Sequence, residues 1–129
     1  PYLVKEIVDP TTGKTVKRYS TTVRGRAISE NTSKQIAEML RRVVAEGGGK
    51  NADVEGSEVG GKTGTAQKFE NGKLATGKYV SSFVGFFPAS SPKYLVLFIV
   101  DEPSGQSYGS IVAAPYAGEV IRRIKGEGV

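Results

Sequence analysis

The sequence predicts an α+β fold, an antiparallel sheet flanked by helices, and three observations carry that reading. Three strand-like runs, Lys62 to Phe69, Tyr79 to Phe87 and Tyr94 to Asp101, are joined by links that suit antiparallel hairpins and are too short for a parallel crossover. Two stretches, one before these runs and one after, carry apolar residues at helical spacing. A turn-forming cluster near the N-terminus separates two short β-prone segments, giving the order hairpin, helix, three strands, helix.

The hairpin is expected within residues 1 to 20, where Tyr2-Leu3-Val4 and Thr15-Val16 flank Asp9-Pro10-Thr11-Thr12-Gly13. Pro sets φ in such a turn and Gly accepts a positive one. In the helix, Thr32 to Ala45, residues Ile36, Met39, Leu40, Val43 and Val44 recur behind the capping candidates Ser29, Asn31 and Thr32. Gly47-Gly48-Gly49 stops the pattern with residues suited to a left-handed cap. Residues 50 to 61 are polar and Gly-rich and predict a loop or an irregular approach to a strand, not a domain linker. Glu70-Asn71-Gly72-Lys73 with a polar stretch links the first two strands, and Pro88-Ala89-Ser90-Ser91-Pro92-Lys93 links the last two. The closing helix starts between Ser110 and Pro115 and puts Ala113, Tyr116, Ala117, Val120, Ile121 and Ile124 on one side.

Composition narrows the chemistry. The 129 residues hold 18 Lys plus Arg, 13 Asp plus Glu, a net charge of +5, and neither Cys nor His. A cysteine nucleophile, an imidazole base, a Cys/His zinc site and a disulfide framework are all excluded. Catalysis would have to run on Ser, Thr, Lys, Tyr or carboxylates. The positive charge is scattered, and Arg41-Arg42 and Arg122-Arg123 fall in helical patterns, so solvated helix faces are expected and nucleic-acid binding is not. The longest apolar run, Tyr94 to Val100, falls far short of the roughly 20 residues of a membrane span. With neither a signal peptide nor an initiator Met at Pro1, the chain is expected to be an internal piece of something longer.

Gly56-Ser57-Glu58-Val59-Gly60-Gly61-Lys62-Thr63 satisfies the phosphate-loop pattern G-x-x-x-x-G-K-S/T, and the apolar run ending at Asp101-Glu102 mimics the metal-holding strand of a nucleotide hydrolase. A phosphate cradle needs an apolar strand entering the loop and a helix leaving it. Here polar Lys50 to Glu55 precedes the motif, and Gly64 and Asn71-Gly72 would break a helix after it. On a strand, Lys62-Thr63-Gly64-Thr65 instead fits serine acyl-transfer enzymes that recognise D-Ala-D-Ala or β-lactams. Alternation sends Lys62 and Gly64 to one face and Thr63 and Thr65 to the other, and the bare Gly64 allows a substrate backbone to approach.

The surrounding blocks extend the match. Gly60 to Gln67, Ser81-Ser82-Phe83-Val84-Gly85-Phe86-Phe87-Pro88, the run to Asp101-Glu102-Pro103, and Tyr108-Gly109-Ser110 to Ala113-Ala114-Pro115 together resemble the C-terminal part of the transpeptidase domain of class B penicillin-binding proteins. Ala27-Ile28-Ser29, the following helix and Lys50-Asn51-Ala52 extend the resemblance over essentially the whole chain. It implies a penicillin-binding/β-lactamase-like transpeptidase fold. Lys62 would be the electrostatic and proton-relay lysine, and the Thr63 and Thr65 hydroxyls would bind the carboxylate of the terminal D-Ala or of a β-lactam. The Thr65 N–H would be an oxyanion donor, and Gly64 would permit close approach. Phe69 to Tyr79 would form a loop at the cleft rim, and Phe83, Phe86 and Phe87 are expected in the core.

The resemblance also implies an S-x-x-K nucleophile and an S-x-N motif. Ser90-Ser91-Pro92-Lys93 matches the first string but lies in a turn after the K-T-G strand, and Ser29-Glu30-Asn31 matches the second but reads as a helix cap. Residues 1 to 129 are therefore expected to be the C-terminal portion of one transpeptidase domain. The nucleophile-bearing N-terminal portion would be a partner, and the chain alone would be inactive with an exposed apolar surface. The implied ligands are peptidoglycan stem peptides and β-lactams, with no cofactor or metal. The implied setting is the outer face of the bacterial cell membrane, reached through an anchor elsewhere in the protein. A nucleotide-binding module and a non-catalytic cell-wall interaction domain are the alternatives.

Overall fold

The computed structural model describes residues 3–126. In chain order it forms β1 (Glu6–Val8), β2 (Thr15–Arg18), α1 (Glu30–Ala45), a single 3-10 turn (Lys50–Ala52), β3 (Gly60–Glu70), β4 (Lys73–Phe87), β5 (Tyr94–Asp101), α2 (Gly109–Val112) and α3 (Ala114–Lys125). The expected order is present, and the fold is α+β. Two antiparallel sheets contain the strands, β1-β2 and β3-β4-β5. No helix among the described residues is long and apolar enough to cross a membrane.

The first hairpin closes on Asp9, whose carboxylate accepts the N–H groups of Thr11 and Thr12, while Gly13 turns the chain at φ 68°. Its first strand begins at Glu6, later than the expected Tyr2-Leu3-Val4, of which Tyr2 lies outside the described residues. The cross-strand partners Glu6 and Arg18 decide that register by pairing at 2.8 Å. Ser29 caps α1 as expected, its hydroxyl accepting the Thr32 N–H at 3.0 Å.

The far end of α1 differs from expectation. Glu46, at φ −126°, is the terminal residue, and the positive-φ glycine cap occurs on α3 instead, at Gly126 (φ 82°). Gly47 and Gly49 are required for closeness: a Cβ on Gly47 would lie 2.9 Å from the Val43 carbonyl oxygen, and one on Gly49 would lie 3.0 Å from the Val44 side chain.

The sheet β3-β4-β5 organises the rest. Asn71 and Gly72, at φ 51° and 76°, form a two-residue turn that pairs Glu70 with Lys73. The expected rim loop from Phe69 to Tyr79 is therefore a continuation of the hairpin, with β4 six residues longer than the apolar run implied. Polar Lys73 to Lys78 gave no half-buried alternation to read, because this arm is solvated on most sides.

The core gathers Val44, Ala52, Val54, Val59, Phe83, Phe87, Val96, Ala113, Ala114, Ala117 and Ile121. Phe83 and Phe87 are buried as expected, and Phe86 is half-buried with its ring over Gly60. The closing helix is two helices broken at Ala113, since Pro115 in the first turn of α3 has no N–H to continue the ladder. Its buried side is Ala113, Ala114, Ala117, Gly118 and Ile121, whereas Tyr116, Val120 and Ile124 from the expected stripe are exposed. The small side wins because the backbone of Ala52 comes within 3.3 Å of where a Gly118 Cβ would stand.

Candidate active site

Gly60–Glu70 is an antiparallel strand at the edge of its sheet, pairing only with β4 among the described residues. No helix follows Thr63, so the phosphate-loop reading fails: Gly60 and Gly61 are paired strand residues whose N–H groups cannot wrap a phosphate. Both glycines are dictated by packing. A Cβ on Gly61 would lie 2.5 Å from the Val84 carbonyl oxygen and 2.6 Å from the Phe83 ring.

The register places all four predicted site residues on this strand. Lys62 faces Val84, Thr63 faces Phe83, Gly64 faces Ser82 and Thr65 faces Ser81. Lys62 and Gly64 thus stand on one face and Thr63 and Thr65 on the other. Lys62 and Thr65 are exposed, and Thr63 and Gly64 are partly covered. The Lys62 ammonium donates to the Thr63 carbonyl at 3.1 Å. A ligand extended along the free edge would meet this ammonium on one side and the Thr65 hydroxyl on the other. The space over Gly64 is occupied by the Ser82 hydroxyl, 2.6 Å from a hypothetical Cβ.

The strand is fixed at both ends. Before it, Arg41 on α1 donates to the Asp53 carboxylate at 2.9 and 3.3 Å and to the Val59 carbonyl at 3.0 Å. Beyond the site, Lys68 donates to Asp101 at 2.9 Å and to Glu102 at 2.8 Å. These hydrogen bonds, Asp101 first, hold the Lys68 pKa above its ordinary 10.5.

Sequence reasoning missed a contact that reaches Thr65 from 44 residues away, where the Gly109 N–H donates to its Oγ1 at 3.1 Å. The block Tyr108-Gly109-Ser110 is visible in the sequence, but only the strand register and the return of the chain after β5 bring it to the site. The two decoys fall where expected. Ser29 is a helix cap, and Ser90 to Lys93 lie between β4 and β5, with the Ser90 hydroxyl donating to Glu58.

An edge strand presenting Lys-Thr-Gly-Thr beneath a helix-covered antiparallel sheet defines a transpeptidase domain of the penicillin-binding kind. The chain belongs to the penicillin-binding protein transpeptidase family, in its class B branch; the family model described as "Penicillin binding protein transpeptidase domain" matches residues 1–122. It is similar to "Stage V sporulation protein D" of Bacillus subtilis, 51% identical over 123 residues, which are 95% of this chain and 19% of that protein. It is 41% identical over 92 residues to "Probable peptidoglycan D,D-transpeptidase PenA" of Neisseria gonorrhoeae, covering 70% of this chain and 16% of that one. Among solved structures, penicillin-binding protein 3 of Mycobacterium tuberculosis complexed with aztreonam superposes with a TM-score of 0.75 at 27% identity, covering 98% of this chain and 31% of the other. The chain thus spans under a third of the length of each of these relatives.

Proposed function

We propose that this chain is the K-T-G-bearing C-terminal portion of a peptidoglycan D,D-transpeptidase, which cross-links stem peptides by serine acyl transfer and is acylated by β-lactams. The observation that carries the reading is the placement of Lys62, Thr63, Gly64 and Thr65 on the free edge of an antiparallel strand. In the reaction, a serine supplied by the rest of the domain attacks the carbonyl of the penultimate D-Ala. The terminal D-Ala leaves, and an amine of a neighbouring stem peptide then takes the acyl group. Lys62 contributes a fixed positive charge beside the nucleophile, the Thr63 and Thr65 hydroxyls hold the substrate carboxylate, and the Thr65 N–H stabilises the oxyanion.

The second part of the domain has a place to go. Lys62, Val84 and Leu97 form one row across the sheet, and on that face Leu95, Leu97 and Ile99 are exposed. A segment covering this apolar face would stand beside the Lys62 ammonium, where the nucleophile is needed. The site would work outside the cell membrane of a bacterium, where stem peptides are.

The test is incubation of the full-length gene product with a fluorescent penicillin. Covalent labelling is expected, with Lys62→Ala slowing it by about 10²–10³-fold, as for loss of a preorganised charge. Residues 1–129 alone should remain unlabelled. Equal labelling of Lys62→Ala would remove its assigned role, and no labelling of the full-length protein would leave a non-catalytic cell-wall domain.

A further inference from the structure

The Thr65 hydroxyl does not stand alone. Its cross-strand partner is Ser81, which is fully buried and donates its hydroxyl to the Ser107 carbonyl. Two residues later the Gly109 N–H donates to Thr65 Oγ1 at 3.1 Å, and Asn51 Nδ2 holds the Ser110 carbonyl at 2.7 Å. Two neighbouring hydroxyls on adjacent strands thus clamp both ends of Ser107 to Gly109. The approach requires glycine: a Cβ on Gly109 would lie 2.4 Å from the Gly64 carbonyl oxygen and 2.5 Å from that of Ser82.

We propose that Ser81 and Gly109 are positioning residues that commit the Thr65 hydroxyl as a hydrogen-bond donor to the ligand carboxylate. An alcohol carries one proton and two lone pairs. With the Gly109 N–H occupying a lone pair, the Thr65 proton is left for another acceptor, and Thr65 is exposed on the edge strand. A hydroxyl offered as a donor to a carboxylate makes a charge-assisted bond, stronger than a neutral one. Ser81 acts at one remove, by fixing the Ser107 carbonyl and so the height of the Gly109 N–H over the strand. The inference rests on the transpeptidase reading above.

The experiment measures second-order acylation rates of the full-length protein with a penicillin bearing its free carboxylate and with the methyl ester of the same compound. For Ser81→Ala the acid-to-ester rate ratio should fall about tenfold, the loss expected when one hydrogen bond is misaligned. Gly109→Ala should lower the ratio further, but its side chain strikes backbone oxygens and can unfold the loop, which makes Ser81→Ala the deciding variant. A purely structural role for Ser81 would slow acid and ester alike. Such a parallel loss, or an unchanged ratio, overturns the inference while leaving the transpeptidase reading intact. If the unmodified full-length protein is acylated by neither compound, the transpeptidase reading fails and takes this inference with it.

Discussion

On the sheet face carrying Phe83, Phe87 and Val96, the side chains are closed over in a core shared with Ala113, Ala117 and Ile121, whereas on the opposite face Val84 and Leu95 are 38% and 72% exposed. The same strands and the same residue types make both faces, so hydrophobicity alone does not decide which one is buried. Alternation assigns each residue a side, and the supply of a covering element decides the rest. Ser81, Thr63 and Thr65 share the face of Phe83, with Ser81 buried and Thr65 exposed at the strand edge, and Lys62 stands on the open face.

The largest effect should come from the covered face. Phe83→Ala removes a fully buried ring and should cost about 3–5 kcal/mol, read from the urea midpoint. A cost under about 1 kcal/mol would dissolve the contrast between the faces. Ile121→Ala, the matching deletion from α3, should cost about 2–4 kcal/mol by the same measurement. Gly61→Ala drives a methyl into the Val84 carbonyl and the Phe83 ring and should cost about 1–3 kcal/mol, with the midpoint shifting and the denaturant slope unchanged.

The open face should respond differently. Leu97→Ser, at a residue 58% exposed, should change the stability of the 129-residue chain by no more than about 0.5 kcal/mol. In the full-length protein the same change should cost several times more if the rest of the domain lies on this face, and equal effects in the two contexts would refute that placement.

The smallest effect tests a rim contact outside both faces. The Ser90 hydroxyl and, less strongly, its N–H hold the Glu58 pKa below the ordinary 4.5. A pKa depressed by folding contributes stability that is present above the unfolded value and is lost as pH falls through the folded one. Ser90→Ala should therefore lower stability slightly at neutral pH and converge with the unmodified chain as pH falls below about 4.5, so that the acid side of the profile flattens, as urea midpoints across pH would record.

Much of this was legible from local pattern. Ser29 as a cap, Asp9 to Gly13 as a turn and the three antiparallel runs depend on neighbours within a few residues. Lys62-Thr63-Gly64-Thr65 was readable for the same reason, because the motif and its strand are one contiguous segment. Local pattern misplaced the buried side of α3, where Tyr116, Val120 and Ile124 look more apolar than Ala114 and Gly118. Close packing against the backbone of Ala52 selects small residues over apolar ones. The arm from Lys73 to Lys78 was missed because a solvated hairpin carries no hydrophobic period.

By itself the sequence determined the order and kind of the elements, the absence of His and Cys, and the four residues along the K-T-G strand, since each of these is written in adjacent positions. Tertiary structure alone decided which side of each element is covered and that the Gly109 N–H meets the Thr65 hydroxyl. Those contacts join residues tens of positions apart, and only a settled register and the return of the chain after β5 bring their atoms within hydrogen-bond reach.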